Sequence, residues 1–267
     1  MAIQNKKIII LGSTGKIGKE LANKLKKNEL YLSFKKKRLT SFNSLENVKF
    51  FSLNFKKPES FLMKLKKYKK IFKSADLIVN TIGTQGQIDN FYRQKLDNFE
   101  DTFNINFILN FILIKFIYSI VKKNKRILIL LLSGGGSLSY RKNFFSYSIA
   151  KICLVKLTEI AAKEVSKKFF RINIISPGVF LSNMTKQVLK NYKKTTKSEI
   201  MKINSSQKKT NNNIEKLVSL IEFLLLGNGK ILTGKVISSS WDRITAFSLS
   251  QIKKIQKSEK FLLRRVG

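Results

Sequence analysis

The chain contains no histidine, one cysteine and two prolines in 267 residues, and only 16 acidic residues against 53 lysines and arginines. A single thiol, Cys153, excludes an internal disulfide and is typical of proteins from a reducing cytosol. Without histidine, and with one cysteine, an ordinary zinc site is not expected, and we predict no metal. These shortages indicate a soluble, cytoplasmic protein.

The net charge of +37 raises the question of a nucleic-acid partner, because a basic face supplies phosphate contacts. The lysines, however, are scattered along the whole chain. We favour compositional drift on a solvated surface, with a polyanion-binding surface as the alternative, and expect no specific nucleic-acid partner. A hydrophobic content of 43% with 11% aromatics is ample for a packed core and argues against disorder.

Long uninterrupted apolar runs are also missing. The run at residues 8–11 is too short for a signal peptide. The stretch at 107–121 is interrupted by Asn110 and Lys115, so we interpret it as a buried helix and expect no membrane span.

Short apolar runs alternate with longer segments of helical spacing. Continuous apolar strands with helices between them are typical of a parallel sheet covered on both faces. We therefore predict a single doubly wound α/β domain of Rossmann type spanning residues 1–267. The polar, basic segment 182–213 is predicted to form a lid over the crevice at the strand ends. The predicted strands are residues 6–12, 29–34, 48–55, 75–83, 126–136 and 171–178.

The first predicted strand runs into three glycines, Gly12, Gly15 and Gly18, that open a helix. Such a turn lets the backbone approach a pyrophosphate at a helix N-terminus, so the segment predicts dinucleotide binding. The predicted cofactor contacts in this turn are Gly12, Ser13, Thr14, Gly15, Lys16, Ile17 and Gly18.

The end of the second predicted strand bears on which nicotinamide cofactor is bound. A carboxylate there would accept hydrogen bonds from the ribose 2′-hydroxyl, but no acidic residue lies between Glu29 and Glu46. Ser33 and Lys35, next to the basic run that ends at Arg38, are suited to a 2′-phosphate. We favour NADP, with NAD as the alternative because lysine is abundant throughout this chain.

Tyr147 and Lys151 are four residues apart in a strongly helical segment, so they share one helix face. A tyrosine ordinarily titrates at about pH 10, and a neighbouring ammonium favours the phenolate and lowers that pKa. Such a tyrosine can deliver a proton to the alkoxide that forms when hydride reaches a carbonyl. The spacing alone is a weak signal in a lysine-rich chain.

Other segments strengthen that interpretation, and they follow one another as LGSTGKIG, DLIVNTIG, FNINFILNF, LLSGGG, YSIAK and RINIISPG. With them the chain resembles the short-chain dehydrogenase/reductase family over nearly its full length. It is most similar to a subgroup with a Ser-Gly-Gly-Gly strand end and a C-terminal Trp-Asp, present here as residues 133–136 and Trp241-Asp242. For Trp241 we expect a structural role, packing the last strand against a neighbour, rather than substrate contact.

The resemblance implies a role for each matching residue. Tyr147 is the proton donor and acceptor, and Lys151 lowers its pKa and holds the nicotinamide ribose. Ser133 hydrogen-bonds the substrate oxygen, and Asn106 supports a water that leads from the lysine towards solvent. The other implied cofactor contacts are Asn54, Asn80, Gly83, Lys151, Pro177, Gly178 and Ser182.

Ser133 has competitors for its role. It precedes Tyr147 by about one residue more than is usual in the family, so Ser137 or Ser139 is the alternative.

Two departures concern other parts of the predicted site. Asn104 and Asn110 flank Asn106, which is preferred because the apolar pattern after it matches the family. Lys16 occupies a position that is usually glycine, so the pyrophosphate loop can differ in detail.

The leading hypothesis is an NAD(P)-dependent oxidoreductase that interconverts a carbonyl and a secondary alcohol by hydride transfer. The alternative is a catalytically silent dinucleotide-binding regulator or scaffold. The basic segment 182–213 suits an acidic or phosphorylated small-molecule substrate. In this family the helices at 98–122 and 146–165 commonly pair, which implies a homodimer or homotetramer.

Overall fold

The computed structural model describes residues 3–36, 38–55, 57–121, 127–166, 169–206 and 210–263. Lys37 and residues 207–209 of the predicted lid therefore lie outside the described residues. The strands are β1 (Lys7–Leu11), β2 (Glu29–Phe34), β3 (Val48–Ser52), β4 (Leu77–Asn80), β5 (Ile127–Leu132), β6 (Phe170–Ser176) and β7 (Val236–Ser238).

These strands form one parallel sheet in the order β3-β2-β1-β4-β5-β6-β7. The strand order reverses between β1 and β4, and in open parallel sheets ligands bind at such a switch point, outside the carboxyl ends of the strands. The predicted doubly wound fold class is confirmed. Each predicted strand is present, although the predicted runs extend too far because Gly12 and Gly83 belong to the turns that follow the strands.

Helices cover both faces of the sheet. They are α1 (Lys16–Lys24), α2 (Pro58–Lys67), α3 (Lys69–Ser74), α4 (Leu96–Phe103), α5 (Leu109–Ile120), α6 (Phe145–Ala161), α7 (Asn183–Lys190), α8 (Lys197–Ser206), α9 (Thr210–Leu225) and α10 (Leu249–Lys257). Alternate strand side chains serve the two faces, because successive residues of a strand point in opposite directions. Ile9 packs in one core with α2, α3, α5 and α6, whereas Ile8 and Ile10 pack in another with α1, α9 and α10.

A π-helical turn, Asn104–Ile108, joins α4 to α5. The turn contains one residue more than an α-helical turn, so one carbonyl group falls outside the regular hydrogen-bond pattern. Within this region the side chain of Asn110 donates from Nδ2 to the carbonyl oxygen of Asn106 at 2.8 Å.

By length and composition alone, the continuous helix Leu96–Ile120 is apolar enough to cross a membrane. In the fold, Leu109, Leu113 and Ile117 are fully buried in the core. This packing is that of a core helix, in agreement with the interpretation of residues 107–121 as a buried helix.

The predicted lid is more regular than its polar sequence suggests. Within its described part, α7 and α8 are helical, and α9 begins there. Ser182 starts α7 through a reciprocal cap with Thr185, whose hydroxyl accepts from Ser182 N at 2.7 Å. This cap satisfies backbone N–H groups at the start of α7. It depends on two polar residues, so hydrophobic periodicity does not predict it.

The core on the α2–α3 side generates a stability prediction. Phe72 is fully buried and makes edge-to-face contacts with Phe51 and Phe116 at centroid distances of 6.1 and 5.5 Å. We expect Phe72→Ala to lower the free energy of unfolding by about 3 to 5 kcal/mol, because it removes the ring and leaves a cavity. The exposed Met63→Ala is the control and should change little, as measured by chemical denaturation. Equal losses in the two variants would contradict this packing.

Candidate active site

A cleft of about 260 Å³ opens at the carboxyl edge of the sheet, where the segments after β4, β5 and β6 converge. Parallel strands bring these segments together because all of their carboxyl ends lie at one edge. Of the predicted site residues, the cleft is lined by Ile17, Gly83, Ser133, Tyr147, Lys151, Pro177, Gly178 and Ser182.

Tyr147 enters the cleft from the first turn of α6 and is only 6% exposed. Its hydroxyl lies against the backbone of Gly134, where a Cβ atom would be 2.8 Å from Tyr147 Oη. Burial raises the pKa of Tyr147, while the Arg141 charge lowers it and the Glu199 charge raises it. The phenol is therefore protonated at neutral pH and is available as a proton donor.

Lys151 follows one turn later and is almost fully buried. Its Nζ donates to the carbonyl oxygen of Leu132 at 2.9 Å and lies 5.7 Å from the centre of the Tyr147 ring. Burial lowers the pKa of Lys151 to about 8. Burial has the largest effect on the Tyr147 pKa and raises it, and the expectation that this ammonium lowers the tyrosine pKa stays a prediction.

The structure favours Ser133 over its two competitors. Ser137 Oγ donates to the Gly134 carbonyl oxygen at 2.9 Å, and Ser139 Oγ donates to the Gly135 carbonyl oxygen at 2.7 Å. Ser133 Oγ is buried and has no hydrogen-bond partner. It lines the cleft, so this hydroxyl is the one of the three that is left for a ligand.

Asn106 lies fully buried inside the π-helical turn. Its Nδ2 donates to the carbonyl oxygens of Thr84 and Thr102, both at 2.9 Å, and its Oδ1 accepts from Thr84 N at 3.3 Å. The side chain therefore ties the segment after β4 to the helix. Its predicted role in holding a water stays a prediction.

Asn80 is buried at the end of β4, and its side chain serves the same framework. Its Nδ2 donates to Asn110 Oδ1 at 2.7 Å, and its Oδ1 accepts from Ile82 N at 3.1 Å. With both ends of its amide occupied, Asn80 shapes the floor beside Gly83, which itself lines the cleft.

The glycine turn has the backbone geometry that a dinucleotide needs. Gly12 adopts a φ of +78°, and a Cβ on Gly18 would lie 2.5 Å from the Gly12 carbonyl oxygen. Gly15 precedes α1 without a side-chain cap, so the first helical N–H groups are left for an anion. Ser13 is buried beneath the turn, and Thr14 is exposed. Lys16 instead pairs with Glu20 at 2.7 Å.

Ser33 is fully buried below this turn. Its Oγ accepts from Gly12 N at 2.9 Å, and its carbonyl oxygen accepts from Ser13 Oγ at 2.7 Å. We therefore expect Ser33 to hold the turn rather than to contact a 2′-phosphate. Lys35 is exposed just beyond β2, and Asn54 lies half-buried just beyond β3.

The segment after β6 forms the far wall of the cleft. Gly178 adopts a φ of +81°, and a Cβ there would lie 2.5 Å from Ser240 Oγ, so the turn packs closely on the segment after β7. In that segment Asp242 accepts a hydrogen bond from Ser238 N at 2.6 Å. Trp241 is 84% exposed, so the expectation that it packs the last strand against a neighbour is wrong within this chain.

Several cleft residues were not predicted from the sequence, among them Arg141, Glu199 and Gln85. Arg141 forms a two-pronged ion pair with Glu199 at 2.7 and 2.8 Å and donates to Gln85 at 3.0 Å. The one signal in the sequence is an arginine between Ser133 and Tyr147 in a chain that uses lysine far more often. Among the described residues, no group of three or more acidic or cysteine side chains could hold a metal ion.

The model of a protein family described as enoyl-(acyl carrier protein) reductase matches residues 16–240. The chain belongs to the short-chain dehydrogenase/reductase family. It is 26% identical over 245 residues to the 3-oxoacyl-[acyl-carrier-protein] reductase FabG of Buchnera aphidicola from Schizaphis graminum, covering 89% of this chain and 96% of that one. It is 29% identical over 199 residues to the FabG of Buchnera aphidicola from Acyrthosiphon pisum, covering 70% and 79%.

A solved short-chain dehydrogenase of Shigella flexneri 2a, in complex with NADP, superposes with a TM-score of 0.72 at 17% identity. The match covers 89% of this chain and 98% of that one, and it shows the fold. As a member of this family, the protein is an NAD(P)-dependent oxidoreductase.

The contact between Gly134 and the phenol can be tested by adding a single methyl group. We expect Gly134→Ala to lower the free energy of unfolding by about 1 to 3 kcal/mol, because the new Cβ has to displace the buried Tyr147 hydroxyl. Gly135→Ala is the matched control, since a Cβ there meets no atom within 4 Å. The two variants are compared with the wild type by chemical denaturation. An unchanged free energy of unfolding in Gly134→Ala would contradict the contact.

The buried lysine predicts a pH-dependent stability. The folded pKa of Lys151 is about 8 against an ordinary 10.5, so the unfolded chain binds more protons between these values. Burial of Lys151 therefore costs stability below this window, and the cost disappears as the pH rises through it. We expect the free energy of unfolding of Lys151→Met to exceed that of the wild type by about 2 to 3 kcal/mol at about pH 7.

When denaturation is followed without cofactor, this difference in the free energy of unfolding should vanish as the pH rises to the upper end of the window. Lys66→Met, at an exposed helical position, is the control for loss of one surface charge. A difference for Lys151→Met that stays constant across the window would contradict the lowered pKa.

Proposed function

We propose that this chain is an NADP-dependent reductase that converts a carbonyl into a secondary alcohol, with Tyr147 as the acid. The observation that carries the proposal is the hydroxyl of Ser133, buried without a partner in the cleft that also holds Tyr147 and Lys151. A buried polar group without a partner is costly, which favours a partner supplied by the substrate.

In the proposed reaction, Ser133 and Tyr147 both donate hydrogen bonds to the substrate oxygen. The nicotinamide, when bound, supplies the hydride. Tyr147 then gives its proton to the developing alkoxide, and the buried ammonium of Lys151 stabilises the phenolate that is left. The hydrogen bond to Leu132 holds that ammonium on the helix face of the tyrosine. Burial of Tyr147 supports its role as donor in the reducing direction, because it keeps the phenol protonated.

Several features support NADP as the cofactor. The residues of the glycine turn fit a dinucleotide, since the cradle between Gly12 and Gly18 has no room for a side chain. Beyond β2 the chain offers exposed cations, Lys35 and Arg38, and no carboxylate. The Shigella flexneri relative was solved with NADP. In the glycine turn and in the segment after β6, we propose the same cofactor contacts that were predicted from the sequence. Ser33 supports the glycine turn from below.

The names of the relatives suggest two reactions on acyl thioesters. FabG is named for reduction of a 3-oxo group, and the family description names reduction of an enoyl double bond. We propose a 3-oxoacyl thioester as the substrate class. Two hydroxyl donors, from Ser133 and Tyr147, suit an oxygen that becomes an alkoxide. Reduction of the double bond is the second candidate.

We propose that the chain works in the cytoplasm as one domain, with residues 182–213 as its substrate lid. A homodimer or homotetramer is supported by apolar side chains on the outer faces of α5 and α6. Phe111 is 40% exposed, and Ile149 and Ile152 are 37% and 38% exposed. Pairing of two copies would remove these side chains from water.

The proposed function is tested by measuring cofactor binding and turnover separately. We expect fluorescence titration to give tighter binding of NADPH than of NADH, in the wild type and in Tyr147→Phe alike. With NADPH, Tyr147→Phe should lose about 10² to 10⁴ of the rate on an acetoacetyl thioester, because the proton donor is absent.

A crotonyl thioester in the same assay distinguishes the two reactions, since it has the double bond but no 3-oxo group. If Tyr147→Phe reduces the ketone as fast as the wild type, the assigned chemistry is wrong. NADPH binding without turnover of any carbonyl in the wild type would instead favour a silent dinucleotide-binding regulator.

A further inference from the structure

Arg141 lies in the loop between β5 and α6, on the stretch of chain that connects Ser133 with Tyr147. Its side chain is 14% exposed, and that of its partner Glu199, on α8, is 22% exposed. Arg141 and Glu199 both line the same cleft as the catalytic candidates. The ion pair is therefore part of the substrate chamber and not a surface contact.

The arginine is held on every side. Its Nε and Nη2 pair with the two oxygens of Glu199, and its Nη1 donates to Gln85 Oε1. The guanidinium stacks 3.5 Å from the centre of the Phe144 ring and lies 5.5 Å from that of Tyr147. A planar guanidinium held in this way binds one carboxylate through two parallel hydrogen bonds, and here that carboxylate is Glu199 in the predicted lid.

Other contacts fix the lid segment, residues 182–206, to the rim outside the cleft. Lys194 pairs with Asp89 at 2.6 Å, and its carbonyl oxygen accepts from Asn143 Nδ2 at 2.6 Å. Gln187 Nε2 donates to the Gly86 carbonyl oxygen at 2.9 Å. The Arg141–Glu199 pair differs from these because it also faces the reacting groups.

We infer that the Arg141–Glu199 pair closes the lid over Tyr147 and selects neutral carbonyl substrates, such as thioesters, over free keto acids. The reason is that the carboxylate-binding edge of Arg141 is already occupied by Glu199. Lys202 of α8 is a further cation in the cleft lining, so the selection concerns a carboxylate at the Arg141 edge. There the carboxylate has to break the pair or lie beside the Glu199 charge, and either is unfavourable. The opposite effects of Arg141 and Glu199 on the Tyr147 pKa agree with a pair that leaves little net charge there.

The inference rests on the proposed carbonyl reduction, and one substitution tests its specificity part. Glu199→Gln keeps the shape of the side chain and frees the charge of Arg141. We expect the ratio of kcat/KM for acetoacetate to that for a neutral acetoacetyl thioester to rise about tenfold in this variant. Asp89→Asn is the matched control, because it weakens a lid ion pair outside the cleft lining, and the ratio should stay unchanged. A ratio that is unchanged in Glu199→Gln, or raised equally in both variants, overturns the selection.

A second measurement needs no substrate. Hydrogen exchange of the backbone amides of α8 should be several-fold faster in Glu199→Gln and in Arg141→Lys than in the wild type, because both lose the two-pronged contact. Unchanged exchange in both variants overturns the role in lid closure. If the wild type reduces neither substrate, the proposed function fails, while the exchange measurement still decides whether the pair closes the lid.

Discussion

The hydrogen bond from Lys151 Nζ to the carbonyl oxygen of Leu132 joins the helix that carries Tyr147 to the strand that leads to Ser133. It gives a buried ammonium a neutral acceptor, while burial itself lowers the pKa of Lys151. The bond fixes the distance between the end of β5 and the first turns of α6. The phenol, the free hydroxyl of Ser133 and the contact at Gly134 all depend on that distance.

Carboxylates are scarce in this chain, and their positions are informative for that reason. With 16 acids against 53 bases, there are too few carboxylates for most cations to form an ion pair. Asp89 and Glu199 both form ion pairs that fix the proposed lid, and Glu159 is nearly buried between Lys156 on α6 and Lys163 just beyond it. At these three positions the rarer charge therefore makes a directed electrostatic contact.

The sequence was sufficient for six of the seven strands, the glycine turn and the Tyr147–Lys151 face, because these follow from local periodicity and from residues close together in the chain. It did not predict β7, which has only three residues. It was insufficient where a side chain meets a partner from a distant segment. In the sequence Ser33 is a candidate ligand for a phosphate, whereas in the structure its hydroxyl accepts a hydrogen bond from Gly12 N. The residues around Glu199 in the sequence do not predict that it pairs with Arg141. The indole of Trp241 is exposed, although tryptophan side chains are usually packed. Such pairs depend on how loops close in three dimensions.

The π-helical turn at Asn104–Ile108 sets the phase of the helix that follows it. Each residue rotates an α-helix by about 100°, so the extra residue turns everything after it by about that angle. In this phase Leu113 and Ile117 face the sheet, and Phe111 faces outwards. Loss of one residue from the turn would give a straighter helix with the wrong side inwards. The same local widening that places Asn106 next to Gly83 therefore also decides which face of α5 is exposed to solvent.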